Sequence, residues 1–108
     1  MPRIRITTHI AGMKHYVLGG LPDRFLAGDP IVLRPEPTNE FDEFAVEVLW
    51  KSMDGVSRKV GYVPQLISKE VSTYIAAGRK IKAEITEDAK AKITIFEEIE
   101  VAPSNNTI

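Results

Sequence analysis

The chain has 108 residues, 44% hydrophobic and 27% charged, with a formal net charge of −1: one soluble domain with a modest core. That charge argues against generic, high-affinity duplex binding, which needs a strong basic excess, while leaving room for a small site reading one or two nucleotides. There is no cysteine, hence no disulfide framework and no thiolate zinc site, a usage compatible with a reducing compartment.

No apolar run approaches the roughly 18 residues of a membrane span. The N-terminal MPRIRITTHI alternates where a signal peptide would be continuously apolar. The expected location is cytoplasmic, with no membrane partner. In chain order, Arg3-Ile4-Arg5-Ile6-Thr7 has the period of a half-buried strand running to about Ile10, broken at Ala11-Gly12. Tyr16-Val17-Leu18 follows and ends in Gly19-Gly20. Pro22 to Leu26 predicts one helical turn, with Pro near its start and Gly28 beyond its end. Asp29-Pro30 signals a turn, and Ile31-Val32-Leu33 a short buried strand.

Residues 45–50, Ala-Val-Glu-Val-Leu-Trp, form the next strand, and Ser52-Met53-Asp54-Gly55 the hairpin turn after it. Lys59 to Val63 returns, and Pro64 opens a helix. Leu66, Ile67, Val71, Tyr74 and Ile75 are assigned to the apolar face of that helix, and Gly78 to its end. Ile81, Ala83 and Ile85 alternate in one further strand. Ile93, Ile95, Ile99 and Val101 share a parity in the last, after the turn Glu87-Asp88-Ala89-Lys90. The expected fold is mainly β: a small six-stranded, partly or fully closed barrel with one main α-helix covering an opening and a short helical turn. The domain is assigned to residues 1–102, and residues 103–108 to a disordered tail.

Catalytic signals are thin. His9 and His15 are accompanied by no G-x-S-x-G elbow and no cysteine, so no nucleophile has a recognisable base. Gly19-Gly20-Leu21-Pro22 lacks both the Walker lysine and the dinucleotide-binding spacing. His9, His15 and Asp42 make a weak metal set. We therefore assign no catalytic residue, no metal and no cofactor.

Two segments suit binding. Lys14-His15-Tyr16 offers a cation, an imidazole and an aromatic ring in three residues, a set that can hold a phosphate and stack a base; the alternative is a surface loop with Tyr16 turned into the core. In Arg34-Pro35-Glu36-Pro37-Thr38-Asn39-Glu40-Phe41-Asp42, the prolines bias the approach toward extended backbone. Asn39 and Asp42 either satisfy the backbone of a turn, with Phe41 plugging the barrel, or face a ligand. Electrostatic sign constrains the second option. A phosphate within about 5 Å of Asp42 costs on the order of 3 kcal/mol at an effective dielectric of about 20. Asp42 must therefore meet a group without phosphate, such as a base amino group or a free terminal hydroxyl.

Taken together, Gly12-x-Lys14-x-Tyr16, then Asn39-x-Phe41-Asp42-x-x-Ala45-Val46-x-Val48, then Val60-Gly61-Tyr62-Val63-Pro64 and a helix, resemble the HIRAN domain family over about residues 4 to 100. The resemblance implies an OB-like barrel of about six strands, found at the N-terminus of some Swi/Snf-type helicases and as small stand-alone bacterial proteins. It implies binding of single-stranded DNA at its 3′ end, in DNA repair or stalled-fork processing, with helicase or other repair proteins as partners and without enzymatic activity. By the same resemblance, Asp42 contacts the free 3′-hydroxyl and Asn39 supports the pocket. Lys14 stands where a basic residue binds phosphate, and Tyr16 where an aromatic packs on the end nucleotide. His15, Thr38 and Tyr62 complete the DNA-binding set. Zinc belongs to accessory domains in the helicase relatives, and this chain has no cysteine to hold a structural ion.

The chain departs from the family pattern at several of these positions. His15 replaces a second aromatic, Thr38 a more usual Asn or Asp, Glu40 the commoner Pro, and Phe44 a small polar residue. Gln65 falls where the helicase examples place a lysine. These changes, with the acidic runs at 40–43 and 97–100, keep open an alternative: a protein-interaction or structural barrel that has lost DNA binding. A positive patch joining Lys14, Arg34 and Arg58 or Lys59 beside Asp42 favours the first reading, and an acidic mouth the second.

Overall fold

The alternating segments form six strands: β1 (Arg5–His9), β2 (Pro30–Pro35), β3 (Val46–Lys51), β4 (Ser57–Tyr62), β5 (Ile81–Ile85) and β6 (Lys92–Glu97). One helix, α1 (Gln65–Ala76), separates β4 from β5, and two 3-10 turns, Met13–His15 and Leu21–Arg24, lie between β1 and β2. The computed structural model describes residues 4–16 and 21–99. The readings made for Val17 to Gly20, for Val101 and for the tail from 103 lie outside the described residues.

All strand pairs are antiparallel, in the order β1-β6-β5-β2-β3-β4. The sheet curls until its two edges meet at one corner. There Ala11 N–H donates to the Tyr62 carbonyl at 2.8 Å, and Tyr62 N–H to the Ala11 carbonyl at 2.9 Å. Two edge strands that would otherwise expose unpaired backbone groups are thereby joined. Gly61 permits the approach. Its φ is +155°, and a Cβ there would overlap the Ala11 carbonyl oxygen and lie 2.7 Å from Ile10 Cγ2.

Inward residues fill the curl as alternation predicts. Ile31, Val46, Val48, Trp50, Val60, Ala83, Ile85, Ile93 and Ile95 are buried together with Ile10, Phe25, Val63 and Val71. The helix contributes Val71, with Ile67 and Ile75 packed alongside. Leu66, assigned to the same face, is 95% exposed. The stripe runs 67, 71, 75 at four-residue spacing, and Leu66 lies five residues before Val71, about 140° round the helix. Pro64 is the N-cap, one position before the helix, with an extended ψ of 139°.

Two further expectations are revised. The last strand ends at Glu97, leaving Ile99 outside it and half exposed. The aromatic plug is Phe25, fully buried with its ring centroid 4.9 Å from that of Trp50, while Phe41 is 88% exposed. Phe25 is held there because its own carbonyl and the residues just after it are bound to the β5–β6 end of the sheet. Gly28 N–H reaches the Ile85 carbonyl, Ala89 N–H the Phe25 carbonyl, and Ala27 N–H the Asp88 carboxylate, each at 2.8 Å.

Gly61→Ala should cost about 3 kcal/mol, because the added methyl meets backbone that holds the corner shut. Gly78→Ala, at φ +80° with open space around it, should cost about 1 kcal/mol. Urea denaturation of the two variants checks the ranking, and equal losses would show that the Ala11–Tyr62 corner carries no special constraint.

Candidate functional site

One irregularity organises the outer face beside the closed corner. β3 and β4 shift register by one residue between Val48 and Leu49, so Val60 is an extra residue in β4. In a regular strand Lys59 and Tyr62 would point to opposite faces; the bulge puts them on the same one. Lys59 Nζ donates to Tyr62 Oη at 2.7 Å, and Tyr62 Oη donates to Glu36 Oε1 at 2.7 Å. Lys59 also lies 3.3 Å from Glu47, 3.8 Å from Glu36, and 4.5 Å from the centroid of the Tyr16 ring. Arg34 sits opposite Glu47 in the β2–β3 ladder and donates to it at 2.8 Å. Glu47, with its side chain only 8% exposed, is thus a nearly buried carboxylate bridging two cations, the condition under which burying a charge is tolerated.

The ionisation states follow from this lattice. Burial works against the Lys59 ammonium, but hydrogen bonds with Tyr62 and Glu47 outweigh it and hold the group above the usual lysine range. Hydrogen bonds from Asn39 and Tyr62 hold Glu36 below the usual carboxylate range. Burial, with the Glu36 hydrogen bond, raises the Tyr62 phenol against the pull of Lys59. Near neutral pH this leaves Lys59 charged, Glu36 ionised and the Tyr62 phenol protonated.

The loop from Glu36 to Ala45 leaves this lattice and is closed by Glu36 N–H to the Ala45 carbonyl at 2.8 Å. Inside it are two successive side-chain turns. Asn39 Oδ1 accepts from the N–H groups of Phe41 at 2.8 Å and Asp42 at 3.0 Å, and Asp42 Oδ1 from Phe44 N–H at 2.8 Å. The Asn39 amide donates back to Glu36 at 2.8 Å. The first turn carries Phe41 at its outer bend, which explains its exposure. Asp42 Oδ2 accepts at 2.8 Å from the hydroxyl of Ser68, a nearly fully buried residue of α1. That bond ties the loop to the helix.

Between loop, corner and helix start lies a cleft of about 520 Å³. Five of the seven expected site residues line it: Tyr16, Thr38, Asn39, Asp42 and Tyr62, along with Ala11, Glu36, Glu40, Phe41 and Gln65. Lys14 and His15 do not; they sit exposed on the 3-10 turn immediately before Tyr16. The side chain of Asn39 is consumed by the loop and by Glu36, so it shapes the cleft without being free to meet a ligand. Asp42 has two of about four lone-pair sites in use and retains acceptor capacity.

The expected positive patch is half present. Arg34 and Lys59 do come together beside the cleft, but Glu47 and Glu36 neutralise them. Arg58 pairs with Asp54 at the β3–β4 turn, at 3.2 Å. Among the described residues, the charged ones lining the cleft are Glu36, Glu40 and Asp42, all acidic. Glu97 and Glu98 do not line it and pair instead with Arg79 and Lys82. Among the described residues no cluster of His, Asp and Glu is disposed to hold a metal ion.

The HIRAN domain family model matches residues 5–103. The chain belongs to the HIRAN domain family. That family consists of nucleic-acid-binding modules rather than catalysts. Two solved structures share the architecture. The HIRAN domain of human HLTF is 14% identical at a TM-score of 0.67, over 86% of this chain and 74% of that one. A protein from Lactobacillus plantarum is 14% identical at a TM-score of 0.66, over 89% and 97%. At such identity the likeness speaks for the OB-like HIRAN fold. No curated protein sequence matches the chain.

Sequence reasoning missed Ser68, Glu36 and Glu47 as parts of this HIRAN site, and it placed Lys59 there only as an alternative to Arg58 in a positive patch. Gly61 inside a strand is a local sign of a bulge but does not say which side chains the bulge brings to one face, and Ser68 looks like an ordinary helix residue until its burial is known.

Two measurements check the site as described. Phe41→Ala should change stability by less than about 0.5 kcal/mol, against about 3–5 kcal/mol for Phe25→Ala; a large loss at Phe41 would mean that its ring is packed. Because the folded-state value of Glu36 is depressed, its contribution is complete above the ordinary glutamate value of 4.5 and is lost as pH falls through the lower folded value. The gap in urea midpoint between the native chain and Glu36→Gln should therefore shrink from pH 7 to about pH 3.

Proposed function

We propose that this HIRAN domain binds the 3′ end of single-stranded DNA and distinguishes a free 3′-hydroxyl from a 3′-phosphate, without chemistry of its own. The observation that carries the reading is the cleft lined by acidic charges, with Asp42 fixed at two points and still able to accept. A terminal hydroxyl donates a hydrogen bond to such a carboxylate, whereas a terminal phosphate brings negative charge against three carboxylates. Fixing Asp42 through Phe44 N–H and Ser68 in advance means that binding does not have to order it.

The phosphates of the strand belong outside the cleft. Lys14 is exposed and makes no ion pair or hydrogen bond among the described residues, so it is the cation available for the first internucleotide phosphate, with His15 beside it. Tyr16, half exposed and edge-on to Tyr62 at 5.8 Å between centroids, offers a ring to the end nucleotide. Lys59 stiffens this wall from behind by its contacts with both rings and is already neutralised. The intended setting is the recognition of strand ends in repair or at stalled forks, next to a helicase or other repair protein. The wholly acidic lining favours one second reading: a barrel that takes a cationic protein segment and no DNA.

Fluorescence anisotropy with short single strands decides between them. Strands ending in a 3′-hydroxyl should bind at least about tenfold tighter than the same strands ending in a 3′-phosphate. Asp42→Ala should erase that difference, and Lys14→Ala should weaken both. With so few available cations the salt dependence should be shallow, a log–log slope of about −0.7 to −1.4 for one or two phosphates. Equal affinity for the two ends, or no binding at low salt, would sink the strand-end reading.

A further inference from the structure

The polar groups on the cleft wall divide by whether they are already satisfied. Asn39, Glu36 and Tyr62 are committed to one another, and both oxygens of Asp42 have one partner each. The side chains of Thr38, Glu40 and Gln65 line the same cleft and make no hydrogen bond or ion pair among the described residues. Glu40 alone of these three is charged. Next to it in the chain, Phe41 presents an aromatic face that is 88% exposed and lines the cleft too. An exposed ring and a neighbouring carboxylate with no protein partner put a stacking surface and an acceptor pair in the same cleft.

We propose that Glu40 makes the cleft selective for guanine in the terminal nucleotide, an inference that rests on the strand-end reading above. The reason is the donor pattern of the bases. A carboxylate carries two acceptors and no donor. Guanine presents two neighbouring donors on its Watson–Crick edge, N1–H and the N2 amino group, which match the two oxygens. Adenine and cytosine each set one amino donor beside a ring-nitrogen acceptor, so one carboxylate oxygen meets a lone pair. Thymine sets its single N3–H between two carbonyl oxygens and is the poorest match. A phosphate is repelled from Glu40 for the same electrostatic reason as from Asp42, so what reaches Glu40 is a base edge. Phe41 stacks on any base and adds affinity without choosing; the choice lies with Glu40.

The test uses the full chain and 5′-labelled oligothymidine strands with a free 3′-hydroxyl, whose last nucleotide is dG, dA, dC, dT or deoxyinosine. The dG end should bind about tenfold tighter than the dT end, the range of a good bidentate contact. Deoxyinosine, which lacks the N2 amino group, should lose most of that gain. Glu40→Gln replaces one acceptor with a donor and should compress the ranking to within about twofold. Equal affinity for the four natural ends, or a dG preference that survives in Glu40→Gln, overturns the inference. A 3′-phosphate control separates the two claims. A flat base ranking with the hydroxyl preference intact overturns the guanine inference alone, whereas a Glu40-dependent ranking without a hydroxyl preference overturns the strand-end reading alone. No binding to any strand overturns both.

Discussion

The reciprocal pair of hydrogen bonds between Ala11 and Tyr62 is the constraint on which the rest depends. It joins the segment after β1 to the end of β4, the two edges of an otherwise open sheet. Closure at that point places Ala11 and Tyr62 together on the cleft wall and carries the Met13–His15 turn over the outer face, where Tyr16 meets Lys59 and Tyr62. It also explains the only described glycine whose missing Cβ faces backbone at clash distance. Fold and site share one geometric cause: what completes the barrel also builds the wall of the cleft.

The second determinant is how charge is spent. Two cations and two carboxylates beside the cleft neutralise each other through Glu47 and Glu36, and a phenol links lysine to carboxylate. Such a lattice trades long-range attraction for local rigidity. It contributes little to steering a polyanion, yet it fixes Tyr62 and, through Glu36 and Asn39, the loop that presents Asp42. The proposed recognition of a strand end suits a near-neutral HIRAN domain of this kind, because a terminal phosphate would meet carboxylates where a hydroxyl could donate to one. Gripping a long stretch of backbone would need a basic track that the described residues of this face do not form.

The exposed Phe41 illustrates how one local interaction redirects a residue. By hydropathy it belongs in a core. The two N–H groups captured by Asn39 Oδ1 bend the chain so that its side chain leaves the protein. The plug falls instead to Phe25, whose surroundings are assembled from the distant β5–β6 turn.

The sequence by itself determined the strands, the helix and the segments that make the site. Alternation and i, i+4 spacing are local consequences of backbone geometry and of which face must be buried. The N-E-F-D block and the V-G-Y triplet likewise marked the loop and the strand that line the cleft. Only the tertiary structure decided which charges remain available, which phenylalanine is buried and which side chains share a face. Those outcomes turn on a one-residue bulge, on a corner closed between Ala11 and Tyr62 and on a serine buried under a loop. Each depends on contacts between different segments of the chain, which a linear pattern of residue types records at most as a glycine inside a strand.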